Sequence, residues 1–502
     1  MSSIIVDDLE KTARLYPNKI ALTDETRAVT FAELRDEARR LASFLLKRNI
    51  SHRPVVVYMN HSVDAVATML GILYSGNFYC VLDVNTPQLR LEKILSTLQP
   101  ALVIKNGVAA IPHYDIAAYA EAIQTSVVDD LLAAARDAIT PQDIAYILFT
   151  SGSTGSPKGV VIGQKSLIDY IDCLTQSFGL SDRTILGNQA PLYFDVSGKD
   201  IYSMLRTGAT LHLIPRHLFT FPARLLEFIQ ERRINTLFWA ASALGLVARY
   251  NILPKFALSC LTTVGFGGEV LPAKYLNEWR RNLPHCQFYN MYGPTEVTIN
   301  CTYHRIDREL ADTEPIPIGK PWRDGDVLVL NEDNKLVQGQ EIGEICVRGV
   351  SLAYGYYHNP EKTAEVFVIN PLDPEKKEII YRTGDLAHYN ERGELIYVGR
   401  KDKQIKHMGY RIELGEIEAA ALSLAGIDSV CALYAAERKN IILVYAGNIA
   451  PEDMREKLVK FLPEYMLPHE FIQRNSLPLN ANGKIDRILI EREILEDNNG
   501  KR

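Results

Sequence analysis

Short apolar runs alternate with amphipathic stretches along most of the chain. Val55-Val56-Val57-Tyr58 is followed by a helical pattern from His61. Phe78-Tyr79-Cys80-Val81 comes next, and then Thr86-Pro87 opens another helix. Apolar runs separated by helices predict parallel sheets covered by helices. The rhythm resumes where a helix near 223–233 feeds Thr236-Leu237-Phe238-Trp239, so the large region is predicted to be α/β throughout. Around Gly399-Arg400-Lys401-Asp402-Lys403 the chain turns polar and highly charged. A helix over 413–424 and two β-like runs over 430–434 and 441–445 then begin a smaller unit. The expected organisation is a large core over 1–399, a hinge at 400–402 and a small, mobile α+β domain over 403–502. Internal repeats and low-complexity tracts are missing from the sequence.

Composition narrows the function classes. A chain of 502 residues, 47% hydrophobic and 23% charged, suits a multidomain globular enzyme. The balance of 55 Lys+Arg against 61 Asp+Glu gives a net charge of −6 with no basic block, which argues against a nucleic-acid partner. The N-terminus has no long apolar run, so neither a leader nor a membrane span is expected, and the cytoplasm is the expected compartment. Seven cysteines lie far apart without a C-x-x-C pair and read as buried, reduced thiols.

The first chemical signal is 148–159, where an apolar strand end runs into Thr150, Ser151, Gly152, Ser153, Thr154 and Gly155 and closes on Pro157-Lys158-Gly159. Glycines let backbone N–H groups approach phosphate oxygens, while hydroxyls and one lysine add donors and charge. It is not a P-loop, because Pro157 stands where that loop needs glycine and Gly159 where it needs Ser or Thr.

This loop resembles the phosphate loop of the adenylate-forming enzymes, the superfamily of peptide-synthetase adenylation domains, acyl-CoA ligases and luciferases. Other segments similar to that superfamily follow in order along essentially the whole chain. They are Val29-Thr30-Phe31-Ala32-Glu33-Leu34, Asn290-Met291-Tyr292-Gly293-Pro294-Thr295-Glu296, Gly343-Glu344-Ile345-Cys346-Val347-Arg348-Gly349 and Tyr381-Arg382-Thr383-Gly384-Asp385-Leu386. Beyond these come Gly399 to Lys406, Arg411 to Glu418 and Asn482-Gly483-Lys484-Ile485-Asp486-Arg487.

The resemblance implies a set of roles around ATP and Mg²⁺. Glu296 holds the metal, Thr295 lies near the α-phosphate, and Lys158 serves the phosphates. Tyr292 stacks on adenine with Asn290 and Gly268 at its edge, Asp385 accepts the ribose hydroxyls, and Arg400 completes the nucleotide site. Lys484 resembles the mobile lysine that reaches phosphates and substrate carboxylate. Asp402 resembles the hinge about which the small domain swings, bringing 406–410 to a carrier's thiol. Read without the resemblance, Thr383-Gly384-Asp385 is a turn, Lys484 a solvated tail lysine and Asp402 a salt-bridged loop residue.

Within the superfamily, Asp195 stands where adenylation domains for α-amino acids carry the counter-charge for the substrate ammonium. As a plain residue it would cap the helix running through Lys199 and Met204. The resemblance lines the side-chain pocket with Val196, Lys199, Phe238, Thr262, Val264, Met291, Ile299 and Asn300. Lys199 could meet an acidic or strongly hydrogen-bonding substrate group, or form an internal salt bridge with Asp195 or Asp200. No Gly-Gly-x-Ser carrier site occurs, so phosphopantetheine is expected in trans on a separate peptidyl or acyl carrier protein. Stand-alone amino-acid adenylation enzymes, resembling peptide-synthetase adenylation domains and D-alanine carrier protein ligases, are the implied class. An acyl-CoA ligase is the alternative, and a non-catalytic nucleotide sensor would be expected to lack one of Lys158, Glu296, Asp385 or Lys484, all of which are present.

Overall fold

A computed structural model describes residues 4–107, 113–152, 155–480 and 484–496. The chain divides into two compact units. One comprises 1–84, 98–148 and 159–401, and the other 85–97, 149–158 and 402–502.

The first unit is built on three sheets. The six-stranded sheet runs in the order Ile116–Ala118, Leu102–Lys105, Pro54–Tyr58, Phe78–Leu82, Ile144–Thr150, Lys158–Gly163. Its inner strands Pro54–Tyr58 and Phe78–Leu82 are buried at every position, as their unbroken apolar sequences require. In the nine-stranded sheet, Gln287–Tyr292, Thr263–Gly267, Thr236–Ala240, Ile185–Asn188, Thr210–Leu213 and Ile20–Thr23 are parallel, and antiparallel strands close both edges. The third sheet departs from the α/β expectation. Val327–Leu330, Gly343–Arg348, Phe367–Ile369, Ile379–Tyr389 and Leu395–Arg400 pair antiparallel. Turns such as the one through Gly393 (φ 70°) join neighbouring strands too closely for a crossover helix.

Local signals set the helices. Phe31–Lys47 begins with a capping box, in which Thr30 Oγ1 accepts from Glu33 N and Glu33 Oε2 accepts from Thr30 N at 2.8 Å. The Thr30 to Glu33 motif therefore has a structural task. The helices expected from His61, after Pro87 and near 223–233 are Val63–Tyr74, Gln88–Leu98 and Pro222–Glu231.

The second unit holds the hairpin Gln404–His407 and Tyr410–Glu413, the helix Leu414–Leu422, and a sheet of Ile427–Ala435, Asn440–Gly447 and Glu470–Arg474. Arg90 pairs with Glu416 in its interior. All seven cysteines are free thiols; five are buried, whereas Cys173 and Cys260 are only half-buried, because their helix and loop positions lie off the core-facing side. No described helix is long and apolar enough to cross a membrane.

Candidate active site

In the first unit, three groups of polar side chains lie at strand and helix ends. The helix Val196–Thr207 is buried along most of its length. Asp195 occupies its N-cap position, yet its side chain makes no capping hydrogen bond. It is 9% exposed, and loss of water pushes its carboxyl up to about 6, with the Thr295 hydroxyl and the Lys199 ammonium pulling the other way. The Val196 N–H, at the first helical residue, also pulls it down, whereas the hydrogen bond a cap would make is not formed. Thr295 starts the short turn Thr295–Val297, and Glu296 within it is fully buried, its Oε1 accepting from the Tyr356 hydroxyl at 2.8 Å. Thr298 and Ile299 follow with φ of 58° and 74°, a backbone held where side chains are seldom tolerated outside functional bends.

Phe238, Met291 and Ile299 share one buried cluster, and Val196 packs against it. Asn300 is buried, and its Oδ1 accepts from Tyr170 Oη at 3.1 Å. Lys199 is 3% exposed and its Nζ lies 5.6 Å from the centre of the Phe238 ring.

Two of the pocket positions expected from the sequence belong elsewhere. Thr262 is exposed just before its strand and its hydroxyl donates to the Asn235 carbonyl. Val264 packs into a different buried cluster, with Leu237 and Phe266. The alternation of a strand is the reason: Val264 and Phe266 face one way, and Gly265 faces the other. Gly265 pairs with Phe238 across the ladder, and a Cβ there would stand 2.6 Å from Phe238 Cδ1 and 2.9 Å from Met291 Sδ. Gly265 is therefore the strand's contribution to this group, and Gly265→Val is expected to drive the Phe238 ring off its seat. Overpacking of this kind costs about 1–3 kcal/mol. If the site takes the carboxylic acid and the ATP that the resemblance implies, KM for the acid should rise at least tenfold with KM for ATP little changed, which steady-state kinetics would check.

Of the residues expected around the nucleotide, Asp385 and Arg400 lie on the third sheet. Asp385 is fully buried; its Oδ1 accepts from Arg400 Nη1 at 2.8 Å and its Oδ2 from Tyr292 Oη at 2.6 Å. Ionic pairing and two phenols hold the carboxylate, Tyr397 Oη also donating to Oδ1 at 3.5 Å, and Oδ2 retains a second lone pair for an incoming hydroxyl. Gly268 takes φ 84° with open space around its Cα. Asn290, expected at the adenine edge, is instead turned to the backbone, its Nδ2 donating to the Pro317 carbonyl at 2.9 Å. On its strand Asn290 faces opposite to Met291, so it fastens the neighbouring loop.

Two residues given no role from the sequence act through others. Glu344 Oε1 accepts from Gly384 N at 3.0 Å and its Oε2 from Arg382 Nη1 at 2.9 Å, which fixes the turn carrying Asp385. Tyr356 orients Glu296. Glu344 sat inside a quoted motif, whereas no local pattern singled out Tyr356.

The remaining candidates lie in the second unit. Among the described residues Thr150 Oγ1 is buried without a hydrogen-bond partner, Ser151 Oγ donates to the Arg411 carbonyl at 2.8 Å, and Lys158 Nζ lies 3.8 Å from Glu413 Oε1. A Cβ on Gly152 would collide with the Ser156 carbonyl oxygen at 2.0 Å, and Gly155 has φ 79°. Ser153 and Thr154 lie outside the described residues, as do Asn482 and Gly483. Lys484 is exposed, its N–H donating to Asn480 Oδ1 at 3.1 Å, and Arg487 is anchored on Glu418 and the Ala432 carbonyl. Asp402 Oδ1 accepts from Gln404 N at 3.1 Å.

Among the described residues no three His, Cys, Asp or Glu side chains converge as a metal cage. A lone buried carboxylate such as Glu296 suits Mg²⁺, which takes one or two carboxylates and fills its shell from phosphates and water.

The model of the AMP-binding enzymes matches residues 9–357. The chain belongs to that family. It is 30% identical to the D-alanine–D-alanyl carrier protein ligase of Lacticaseibacillus casei, over 98% of this chain and 99% of that protein. It is also 30% identical to tyrocidine synthase 1 of Brevibacillus parabrevis, over 95% of this chain but 44% of that protein, and it spans only 19–44% of the first synthetase relatives it matches. Among solved structures, PA1221, a nonribosomal peptide synthetase protein containing adenylation and PCP domains, aligns with a TM-score of 0.84 at 27% identity. That alignment covers 98% of this chain and 84% of the other. The fold also matches the Vibrio cholerae adenylation domain AlmE, with a TM-score of 0.85 at 21% identity over 99% and 98% of the two chains.

Proposed function

We propose that this protein joins an amino acid to AMP at the expense of ATP and then passes the aminoacyl group to the phosphopantetheine thiol of a carrier protein. The observation that carries this reading is Asp195. A desolvated carboxylate beside Thr295, left uncapped at its own helix, is a partner for a substrate ammonium. Fatty and aryl acids have no such group. Carrier transfer is supported by the likeness to the carrier protein ligase, matched over nearly all of its length.

In the first step the amino-acid carboxylate attacks the α-phosphorus, the bond to the β-phosphate oxygen breaks, and pyrophosphate leaves. Asp195 holds the ammonium and Phe238, Met291, Ile299 and Val196 shape the side-chain end. Asp385, fixed by Arg400 and by Glu344 through the turn, holds the ribose. Thr150, Ser151, Gly152 and Lys158, together with Ser153 and Thr154, take the phosphates, and Lys484 reaches the reacting oxygens. Magnesium, when bound, neutralises charge on the phosphates, and Glu296 is the residue that would hold it. In the second step the carrier thiolate attacks the acyl carbonyl and AMP departs. ATP supply and the free thiols of the chain suit the cytoplasm.

A hinge at 400–402 between a core over 1–399 and a small domain over 403–502 would separate the two steps. Asp402→Pro fixes φ and removes an N–H, and it is expected to spare pyrophosphate exchange while slowing carrier loading at least tenfold. Loading at the wild-type rate would put the hinge elsewhere. The overall reading is tested by offering purified adenylate to a phosphopantetheinylated D-alanyl carrier protein, to a peptidyl carrier protein and to free CoA. Acyl transfer to a carrier supports it, and transfer to CoA alone identifies an acyl-CoA ligase.

A further inference from the structure

Asp195 belongs to a span whose two ends are fastened to each other. The strand Ile185–Asn188 leads into the span, and Asp200, in the second turn of the helix Val196–Thr207, lies just past it. Asn188 Nδ2 donates to Asp200 Oδ2 at 2.7 Å, so a single hydrogen bond closes residues 189–199 with Asp195 among them. Asn188 is fully buried and Asp200 nearly so. Among the described residues that bond is the only one Asp200 accepts, because its Oδ1 is buried without a partner. Burial pushes its carboxyl up to about 7, with the Lys199 ammonium and the Asn188 amide pulling the other way.

A side-chain amide has one accepting end and one donating end, so Asn188 is held in this orientation by whatever donates to its oxygen. His61 does so. Its Nε2 lies 2.8 Å from Asn188 Oδ1, and since that oxygen only accepts, Nε2 carries the proton. Burial lowers the pKa of the ring to about 4, which keeps it neutral with Nδ1 bare. Turned over, Asn188 would set its oxygen against the Asp200 carboxylate and its NH₂ against the His61 N–H, and both bonds would be lost. His61 also forms part of the wall of a cavity of about 520 Å³, at the carboxyl ends of the strands Ile20–Thr23, Pro54–Tyr58, Phe78–Leu82 and Thr210–Leu213. Glu25, Arg216 and His217 line the same cavity with side chains more than half exposed, so it opens to solvent.

We propose that His61 is a positioning residue for amino-acid binding, acting through Asn188 and Asp200 to fix the span that sets Asp195 against the substrate ammonium. The inference rests on the amino-acid reading of Asp195. Without the His61 donor the Asn188 amide is free to turn, the Asp200 end of the span is released, and Asp195 loses its fixed place. Asp385 and Arg400, on the third sheet, are untouched. A loss of binding shared by ground state and transition state raises KM and leaves kcat unchanged.

ATP–pyrophosphate exchange with the full chain, run on the amino acid that the wild type exchanges fastest, tests this. In His61→Ala KM for that amino acid should rise at least about tenfold, with kcat and KM for ATP within about twofold of wild type, since small misplacements of a binding group carry losses of that order. The alanine joins the space of the lost ring to the cavity. Added imidazole can enter and donate its N–H to Asn188 Oδ1, and it should restore most of the lost affinity. N-Methylimidazole has the same ring without the N–H and should restore none. His61→Gln, whose side-chain N–H can stand in for Nε2, should stay near wild type. His61→Phe keeps the bulk, loses the donor and should match the alanine variant without rescue. An unchanged KM in His61→Ala, a fall in kcat as large as the rise in KM, or rescue by both imidazoles or by neither overturns the inference, while exchange by the wild type leaves amino-acid activation standing. Wild-type exchange with no amino acid removes both. Where the alanine variant does not fold, the glutamine and phenylalanine variants decide alone, and equal KM values in the two overturn the proposal.

Discussion

Asp195→Ala is expected to lower kcat/KM for amino acids by about two to four orders of magnitude. The expectation follows from what the carboxylate faces. It is desolvated, it makes no capping hydrogen bond, and the Thr295 hydroxyl, the Lys199 ammonium and the Val196 N–H compensate only part of its burial. A substrate ammonium brought against it makes a buried ion pair, and removing one partner of such a pair costs roughly 3–5 kcal/mol. Each 1.4 kcal/mol is about tenfold in rate, which gives the range stated. Des-amino analogues carry no ammonium, so they should lose far less and their relative rate should rise. Asp195→Asn serves as the shape-conserving control and should follow the alanine variant. Equal losses for amino and des-amino substrates would mean that Asp195 maintains the helix start and nothing more.

Lys484→Ala should be more severe still, lowering adenylate formation by about three orders of magnitude or more while thioester formation from pre-made adenylate survives. Lys484 is exposed, its N–H held by Asn480 Oδ1, and Arg487 fastens the following helix to Glu418. Removing an exposed side chain changes stability by at most about 0.5 kcal/mol, so a large kinetic effect would report contact with reactants. A lysine on the unit that begins again at Asp402 would touch them in one pose only. Single-turnover assays of the two half-reactions measure this, and loss of equal size in both would sink the two-pose account.

Both predictions concern residues whose chemistry was visible in the sequence, and the structure shows where such visibility stops. Unbroken apolar runs such as Pro54–Tyr58 and Phe78–Leu82 announced buried parallel strands, because only a strand covered on both faces can carry them. The antiparallel sheet of 327–400 was missed, since its strands are joined mostly by turns and loops, and the one helix between them, Pro360–Val366, is too short to set a rhythm. Asp195 and Glu296 sit on a helix end and a turn, whereas the positions on Thr263–Gly267 depend on which face of a strand they take. A shift of one residue along a strand exchanges faces, which is why Val264 fell into the wrong layer and Gly265, having no side chain to notice, was passed over. Asn290 shows the same limit, because its polarity suggested a ligand while its face of the strand gave it the Pro317 carbonyl. Tyr356 and Glu344 act at one remove on Glu296 and on the Asp385 turn, through contacts between segments 60 and 40 residues apart. No short motif encodes a contact of that range.

The central claim is that the protein activates amino acids, and ATP–pyrophosphate exchange measures it most directly. With Mg²⁺, labelled pyrophosphate should enter ATP only when an α-amino acid is present, and the des-amino analogue of the best substrate should support less than about one per cent of that rate, the loss expected when a buried charge is left without its partner. Exchange supported equally well by fatty, aryl or des-amino acids, or by no acid at all, would contradict it.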